Sequence, residues 1–324
     1  MTPIQPFKPS FFHFNAHLQT IIPSIFRKVK GLNYHRERIS TPDSDFLDLD
    51  WSLSNKSNVQ IPPMETRGLL ILSHGLEGDT NRQYIKGMVK IFNENDFDCL
   101  AWNFRSCGGE INKNLRFYHS GATDDLDLVV KHAILKGYQN IYLVGFSLGG
   151  NLTLKYLGEK SAIPEIKKAV VFSVPLDLAG SSRQIAKSSN WLYTKRFLKS
   201  LKTKVKLKAA NFPNEINLAN LGKIKTVEAF DEQYTSKLHG FINAKDYYAK
   251  NSSIIFVEKI AIPTLIVNAK NDPFLSDGCY PKEKLNNHPF VKLEIPDEGG
   301  HCGFWQKGYQ NFLWSELRAL DFIA

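Results

Sequence analysis

Six residues, Gly145-Phe146-Ser147-Leu148-Gly149-Gly150, restrict what this chain can fold into more than any other stretch. Ile141-Tyr142-Leu143-Val144 precedes them, an apolar run with the character of a buried strand. Leu152, Leu154, Tyr156 and Leu157 follow among good helix formers. Strand, G-x-S-x-G and helix in that order predict a sharp turn that lifts a serine hydroxyl above a sheet. Such a turn holds its serine at strained backbone angles, and Gly145 and Gly149 avoid collisions with the neighbouring strand and helix. The helix N-terminus and the Leu148 amide beneath the hydroxyl would receive an anion. The plainer alternative is a tight βα turn whose serine only caps the helix. Ser147 as a nucleophile is the expectation carried forward.

The 324 residues suffice for one large α/β domain with an insertion, and 43% apolar with 23% charged residues is globular composition. Apolar runs at 68–73, 97–103, 141–144, 169–173, 263–268 and 291–295 read as strands. Amphipathic stretches at 81–95, 123–136 and 309–323 read as helices. An opening hairpin is expected from 34–40 and 46–53 around Pro42-Asp43. Strands alternating with helices imply a mostly parallel sheet covered on both faces. Residues 1–324 read as a single domain. Within it, 176–254 turns helical, basic and aromatic, the character of a lid or cap insertion.

Cys99, Cys107, Cys279 and Cys302 have no pairable spacing, which suits a reducing compartment. The first thirty residues show no secretory signal and no stretch approaches a membrane span, so a cytoplasmic location is expected. The net charge is +9. Arg183, Lys187, Lys195, Arg196, Lys199, Lys202, Lys204, Lys206 and Lys208 lie in a segment without Asp or Glu. A solvated helical face is the preferred reading of that run, and no nucleic-acid motif accompanies it. If the segment overhangs Ser147, Trp191, Tyr193, Phe197, Phe212 and Phe230 would line an acyl pocket. Its cations would then favour anionic esters or draw the protein transiently to an anionic membrane surface.

A serine hydroxyl needs a base, usually an imidazole oriented by a carboxylate. Of nine histidines only His301 follows the last strand, in a glycine-rich loop suited to presenting one side chain. His13, His17, His35, His132, His239 and His288 read as surface or packing residues. Two carboxylates could orient the base. Asp272 lies in a rigid Asp-Pro turn after the strand at 263–268; Asp177 begins the insertion and could be a helix cap. Asp272 is preferred. An oxyanion is expected to be held by the Leu76 and Leu148 amides, with His74 and Gly75 shaping the loop after the strand at 68–73. No metal-ligand spacing is present and no cofactor is needed.

Several segments together resemble the YheT-like hydrolases among the α/β-hydrolases. They are residues 15–20 (N-A-H-L-Q-T), 74–78 (H-G-L-E-G), 103–110 (N-F-R-S-C-G-G-E), 118–121 (Y-H-S-G), 145–150 (G-F-S-L-G-G) and 299–304 (G-G-H-C-G-F). Ala16 and Ser106 depart from the pattern, where relatives often carry Pro and Gly. The resemblance implies the α/β-hydrolase fold, a Ser147–Asp272–His301 triad and esterase-type activity, with lipid esters as substrates of some relatives. Arg105 is expected to pair with Glu110 and fix its loop, in preference to binding a substrate anion, and His119 to act as a support. The leading expectation is a serine hydrolase of small-molecule or lipid carboxylic esters. An acyltransferase using the same three residues, or a non-catalytic ligand-binding protein on the same fold, are the alternatives. Substrate identity and oligomeric state are not legible.

Overall fold

The computed structural model describes residues 6–9, 14–54, 67–160, 163–306 and 312–324. The chain opens with helix α1 (Ala16–Phe26) and the hairpin β1 (His35–Ser40) and β2 (Phe46–Ser52). There follow β3 (Leu69–Ser73), α2 (Gln83–Asn93), β4 (Asp98–Asn103), α3 (Thr123–Leu135), β5 (Ile141–Phe146), α4 (Leu148–Glu159) and β6 (Ile166–Phe172). Five helices then intervene: α5 (Leu178–Ile185), α6 (Trp191–Asn211), α7 (Val227–Phe230), α8 (Ser236–Leu238) and α9 (Ala244–Asn251). The sheet resumes with β7 (Thr264–Val267), α10 (Lys282–Leu285), β8 (Val291–Glu294) and α11 (Trp314–Ile323).

Eight strands form one sheet in the order β1-β2-β4-β3-β5-β6-β7-β8. The β1/β2 and β2/β4 pairings are antiparallel and all others parallel. Side chains alternate across a strand, so a strand covered on both faces must be apolar throughout. In β3, Leu69 and Ile71 enter one core, and Leu70 and Leu72 enter the other. The first core is completed by α3 and α4, the second by α2 and α11. The edge strand β1 is instead charged, and Arg36 and Arg38 bond back to Asp50 and Asp48 of β2 at 2.7 Å each. Charges on an edge discourage pairing with another sheet. No helix among the described residues is long and apolar enough to cross a membrane.

Two features depart from the sequence expectation. Prolines obscured α1, which the Asn15 side chain caps by accepting the Leu18 amide at 2.9 Å. Pro23 within α1 lacks the N–H that would bond the Gln19 carbonyl. Gly303 packs at that carbonyl, where a Cβ would lie 2.1 Å from the oxygen. The second departure corrects the expected Arg105–Glu110 pair. Arg105 is buried and bonds Asp125 (2.8 Å), Asp43 (2.9 Å) and Asp45 (3.2 Å), whereas the exposed Glu110 meets Arg38 at 2.8 Å. A guanidinium removed from water needs several carboxylates to compensate it, and one exposed glutamate could not. The last helix begins at Trp314; the start expected at 309 lies outside the described residues, as does His13.

Candidate active site

Ser147 stands between β5 and α4 with φ 53° and ψ −120°. Holding a serine in this region costs about 1–3 kcal/mol, which the packed strand and helix on either side must supply. The two flanking glycines have steric reasons. A Cβ on Gly145 would lie 2.6 Å from the Gly149 carbonyl oxygen, and one on Gly149 would lie 2.4 Å from the Ser73 and His74 carbonyl oxygens. Thus β3, β5 and α4 can approach only without side chains there.

The loop after β8 brings His301 to Ser147, with Nε2 3.0 Å from Oγ. On the other side of the ring, Nδ1 lies 2.9 Å from Asp272 Oδ2 and 3.0 Å from Oδ1. Asp272 is only 5% exposed and also accepts the Phe274 amide at 3.0 Å. With a carboxylate at Nδ1 the proton resides there, leaving the Nε2 lone pair for the serine hydroxyl. Burial pushes the His301 pKa down, but the Asp272 charge and Cys302 beside it outweigh burial, so the pKa lies above its ordinary 6.5. Asp177 has a different place. It caps α5 by accepting the Gly180 amide (3.0 Å) and receives the Ser276 hydroxyl (3.1 Å).

The loop after β3 lies beneath the serine: a Cβ on Gly75 would come within 3.2 Å of Ser147 Cβ. His74 is fully buried, donates from Nδ1 to the Gly75 carbonyl (2.8 Å) and accepts the Phe104 amide at Nε2 (3.2 Å). Burial drives its pKa down to about 3, so the ring stays neutral and holds backbone. Leu76 lines the cavity above Ser147, and Leu148 is the first residue of α4. The neighbouring Glu77 accepts from the Tyr118 hydroxyl (2.6 Å) and Lys204 (2.9 Å) and also meets Ser200, tying this loop to α6.

The cavity at Ser147 measures about 190 Å³, and Leu76, Tyr84, Tyr193, Phe197 and Phe274 supply its apolar wall. Of the aromatic residues expected from the insertion, Tyr193 and Phe197 are there. Phe230 packs in a separate small core with Phe117, Leu198 and Val205, with Phe212 against it, and Trp191 is 56% exposed. A helix presents different faces to different neighbours, so a run of aromatics need not converge on one pocket. The cations divide likewise. Arg196 borders the cavity, Lys204 is paired with Glu77, and Lys208 is buried against Asn112 and Asn114. His119 accepts the Gly121 amide at 3.1 Å and meets His239 in a tilted contact and Tyr247 edge-on. Among the described residues no group of three or more His, Cys, Asp or Glu is arranged to hold a metal ion.

Sequence reasoning missed two supports of the histidine loop, both on α1. Thr20 Oγ accepts the His301 amide (2.9 Å), and Gln19 Oε1 accepts the Gly299 amide and the Asn271 amide group, both at 2.9 Å. Asn271 in turn accepts the Gly300 amide at 3.0 Å. The signal was present in the N-A-H-L-Q-T segment, without a physical reading. Gln19→Leu together with Thr20→Val leaves two buried loop amides without acceptors, at about 1–3 kcal/mol each. We expect this double variant to unfold at lower temperature and to lose at least about tenfold in kcat as the imidazole drifts. Unchanged kcat in steady-state assays on the folded protein would remove Gln19 and Thr20 from the positioning role.

Residues 68–308 match a protein-family model described by its alpha/beta hydrolase fold. YheT of Escherichia coli is 34% identical over 90% of this chain and 84% of its own length. Human phospholipase ABHD3 is 28% identical over 93% of this chain and 74% of its own. Monoacylglycerol lipase of Saccharomyces cerevisiae is 27% identical over 86% of this chain and 65% of its own. Among solved structures, the esterase Pf2001 of Pyrococcus furiosus superposes with a TM-score of 0.58 over 92% of this chain and 94% of its own. At 18% identity, that likeness bears on the fold.

Proposed function

The chain belongs to the α/β-hydrolase family, to its YheT-like ester hydrolases, and we propose that it cleaves carboxylic esters through an acyl-enzyme on Ser147. The observation that carries this reading is the continuous path of hydrogen bonds from Ser147 Oγ through His301 to Asp272. Ser147 Oγ attacks the ester carbonyl carbon as His301 Nε2 takes the hydroxyl proton, and the carbonyl oxygen becomes an oxyanion. The Leu76 and Leu148 amides hold that oxyanion, aided by the α4 N-terminus. When the intermediate collapses, the alkoxide leaves with the proton from His301. A water then gives a proton to His301 as its oxygen attacks the acyl carbon; the acyl carbon–Oγ bond breaks, His301 returns the proton to Ser147 Oγ, and the acid departs. Asp272 keeps the Nδ1 proton in place and stabilises the transient imidazolium.

Lipid esters are the substrate class we favour. The relatives include proteins named phospholipase and monoacylglycerol lipase, and aromatic and aliphatic groups line the cavity. In this reading the chain is one hydrolase domain, with residues 176–254 as a cap whose α6 forms one wall of the acyl site.

Two measurements test the mechanism. A fluorophosphonate probe should attach to the peptide bearing Ser147, and p-nitrophenyl esters of increasing chain length should be hydrolysed with a preference among them. An adduct elsewhere, or no turnover of any ester, sinks the reading. The second is pH. The base must be neutral to accept the serine proton, and its pKa is raised, so activity is lost as pH falls through that raised value. We expect the acid limb of kcat/KM to inflect above pH 6.5. An inflection well below that value would mean Asp272 does not stabilise the imidazolium.

A further inference from the structure

The cavity explains the inner face of α6, but not its outer face. Across twenty-one residues α6 carries seven cations and neither Asp nor Glu. Lys204 and Lys208 point inward to Glu77 and to Asn112 and Asn114. Lys195, Lys199, Lys202 and Lys206 recur at intervals of four, three and four residues, so they run along one side of the helix for roughly 16 Å; Lys195, Lys199 and Lys206 are exposed, and the half-buried Lys202 donates to the Ile224 carbonyl at 2.7 Å. Lys187 and Lys225 join this stripe, and the hollow between them measures about 390 Å³. It holds Trp191 and Ile224 and no carboxylate. Such crowding of like charge is unfavourable unless an anion meets it.

Beside the stripe, large apolar side chains face solvent: Trp191 is 56% exposed, Leu192 53% and Leu207 52%. Ser24 of α1 lines the Ser147 cavity, and the Ile25 and Phe26 that follow it are 60% and 69% exposed. Cations alone would suit any polyanion. Cations flanked by Trp and Leu suit a surface that is anionic outside and apolar just beneath, because the ammonium groups can meet phosphates while the apolar groups enter the acyl region. Nucleic acid offers the charge without an equivalent apolar layer.

We infer that the outer face of α6, with Trp191 and Leu192 at its start, is a docking surface for an anionic lipid bilayer. The inner face of the same helix contributes Tyr193, Phe197 and Ser200 to the Ser147 cavity, so in a docked molecule one helix separates that cavity from the lipid. Docking does not rest on the esterase reading, whereas its use in drawing lipid esters to Ser147 does.

The test is flotation of the whole protein with vesicles of phosphatidylcholine, with and without phosphatidylglycerol, at low and high salt. Binding is expected only with phosphatidylglycerol, weakening as salt screens the charges. The triple variant K195Q/K199Q/K206Q should bind roughly 100-fold less, from about fivefold per cation removed. Trp191→Ala should weaken binding without changing its salt dependence. Neither variant should alter hydrolysis of a soluble short-chain p-nitrophenyl ester, which also reports that they fold. Equal binding of wild type and triple variant, or no preference for the anionic vesicles, overturns the inference. Retention on duplex DNA with none on anionic vesicles also overturns it, and would assign the stripe to nucleic acid.

Discussion

Ser147→Ala is expected to abolish ester hydrolysis and fluorophosphonate labelling while the protein remains folded. The hydroxyl is the only atom lost, and its hydrogen bond to His301 at 3.0 Å is the contact that disappears with it. Alanine tolerates φ 53° no better and no worse than serine, so the turn keeps its shape at about the same cost. The catalytic loss should be about 10⁶-fold in kcat, the scale seen when the nucleophile of a Ser-His-Asp set is removed. Circular dichroism and thermal unfolding should match the wild type within a few degrees. Full labelling of the alanine protein would show that another nucleophile reacts, and the role of Ser147 would have to be given up.

Asp272→Asn has the second largest expected effect, about 10⁴-fold in kcat. The substitution keeps the shape but replaces an acceptor with an amide that can donate toward His301 Nδ1. The ring then favours the other tautomer, with a proton on Nε2, where the serine needs a lone pair. Loss of the negative charge should also lower the His301 pKa, moving the acid limb of kcat/KM to lower pH. Asp177→Asn is the control. Asparagine still caps a helix and still accepts from Ser276, so kcat should change by less than about threefold. A crippled Asp177→Asn enzyme beside a nearly normal Asp272→Asn enzyme would reverse the two roles.

Legibility in the sequence followed how local the physical cause was. Central strands such as β3 and β5 are continuous apolar runs because both their faces are covered, and such runs are visible without a structure. The Ser147 turn was visible for a similar reason: the steric demand of one tight turn falls on residues adjacent in sequence. His301 was singled out by chain order and its glycine-rich setting, and its Nε2 stands 3.0 Å from Ser147 Oγ. Helix α1 was not found, because Pro23 and the prolines before it argue against a helix locally, whereas its packing on the His301 loop rewards one. Arg105 was misassigned for the converse reason. Glu110 is five residues away, while the partners that compensate its buried charge are Asp43, Asp45 and Asp125.

By itself, then, the sequence determined a sheet of buried strands, a strained serine turn and a basic helical stretch between two of the strands. Each of these is written in periodicity, glycine placement or charge, properties of neighbouring residues. Only the tertiary structure decided which carboxylate faces His301, since Asp272 and Asp177 both follow strands and differ in where their loops point. It also decided which side of α6 meets the cavity. Tyr193 and Phe197 turn inward while Lys195, Lys199 and Lys206 turn out, a division made by what the helix packs against. Side chains one or two positions apart on a helix face different directions, so composition can supply the cations and aromatics but cannot say which of them stand over Ser147.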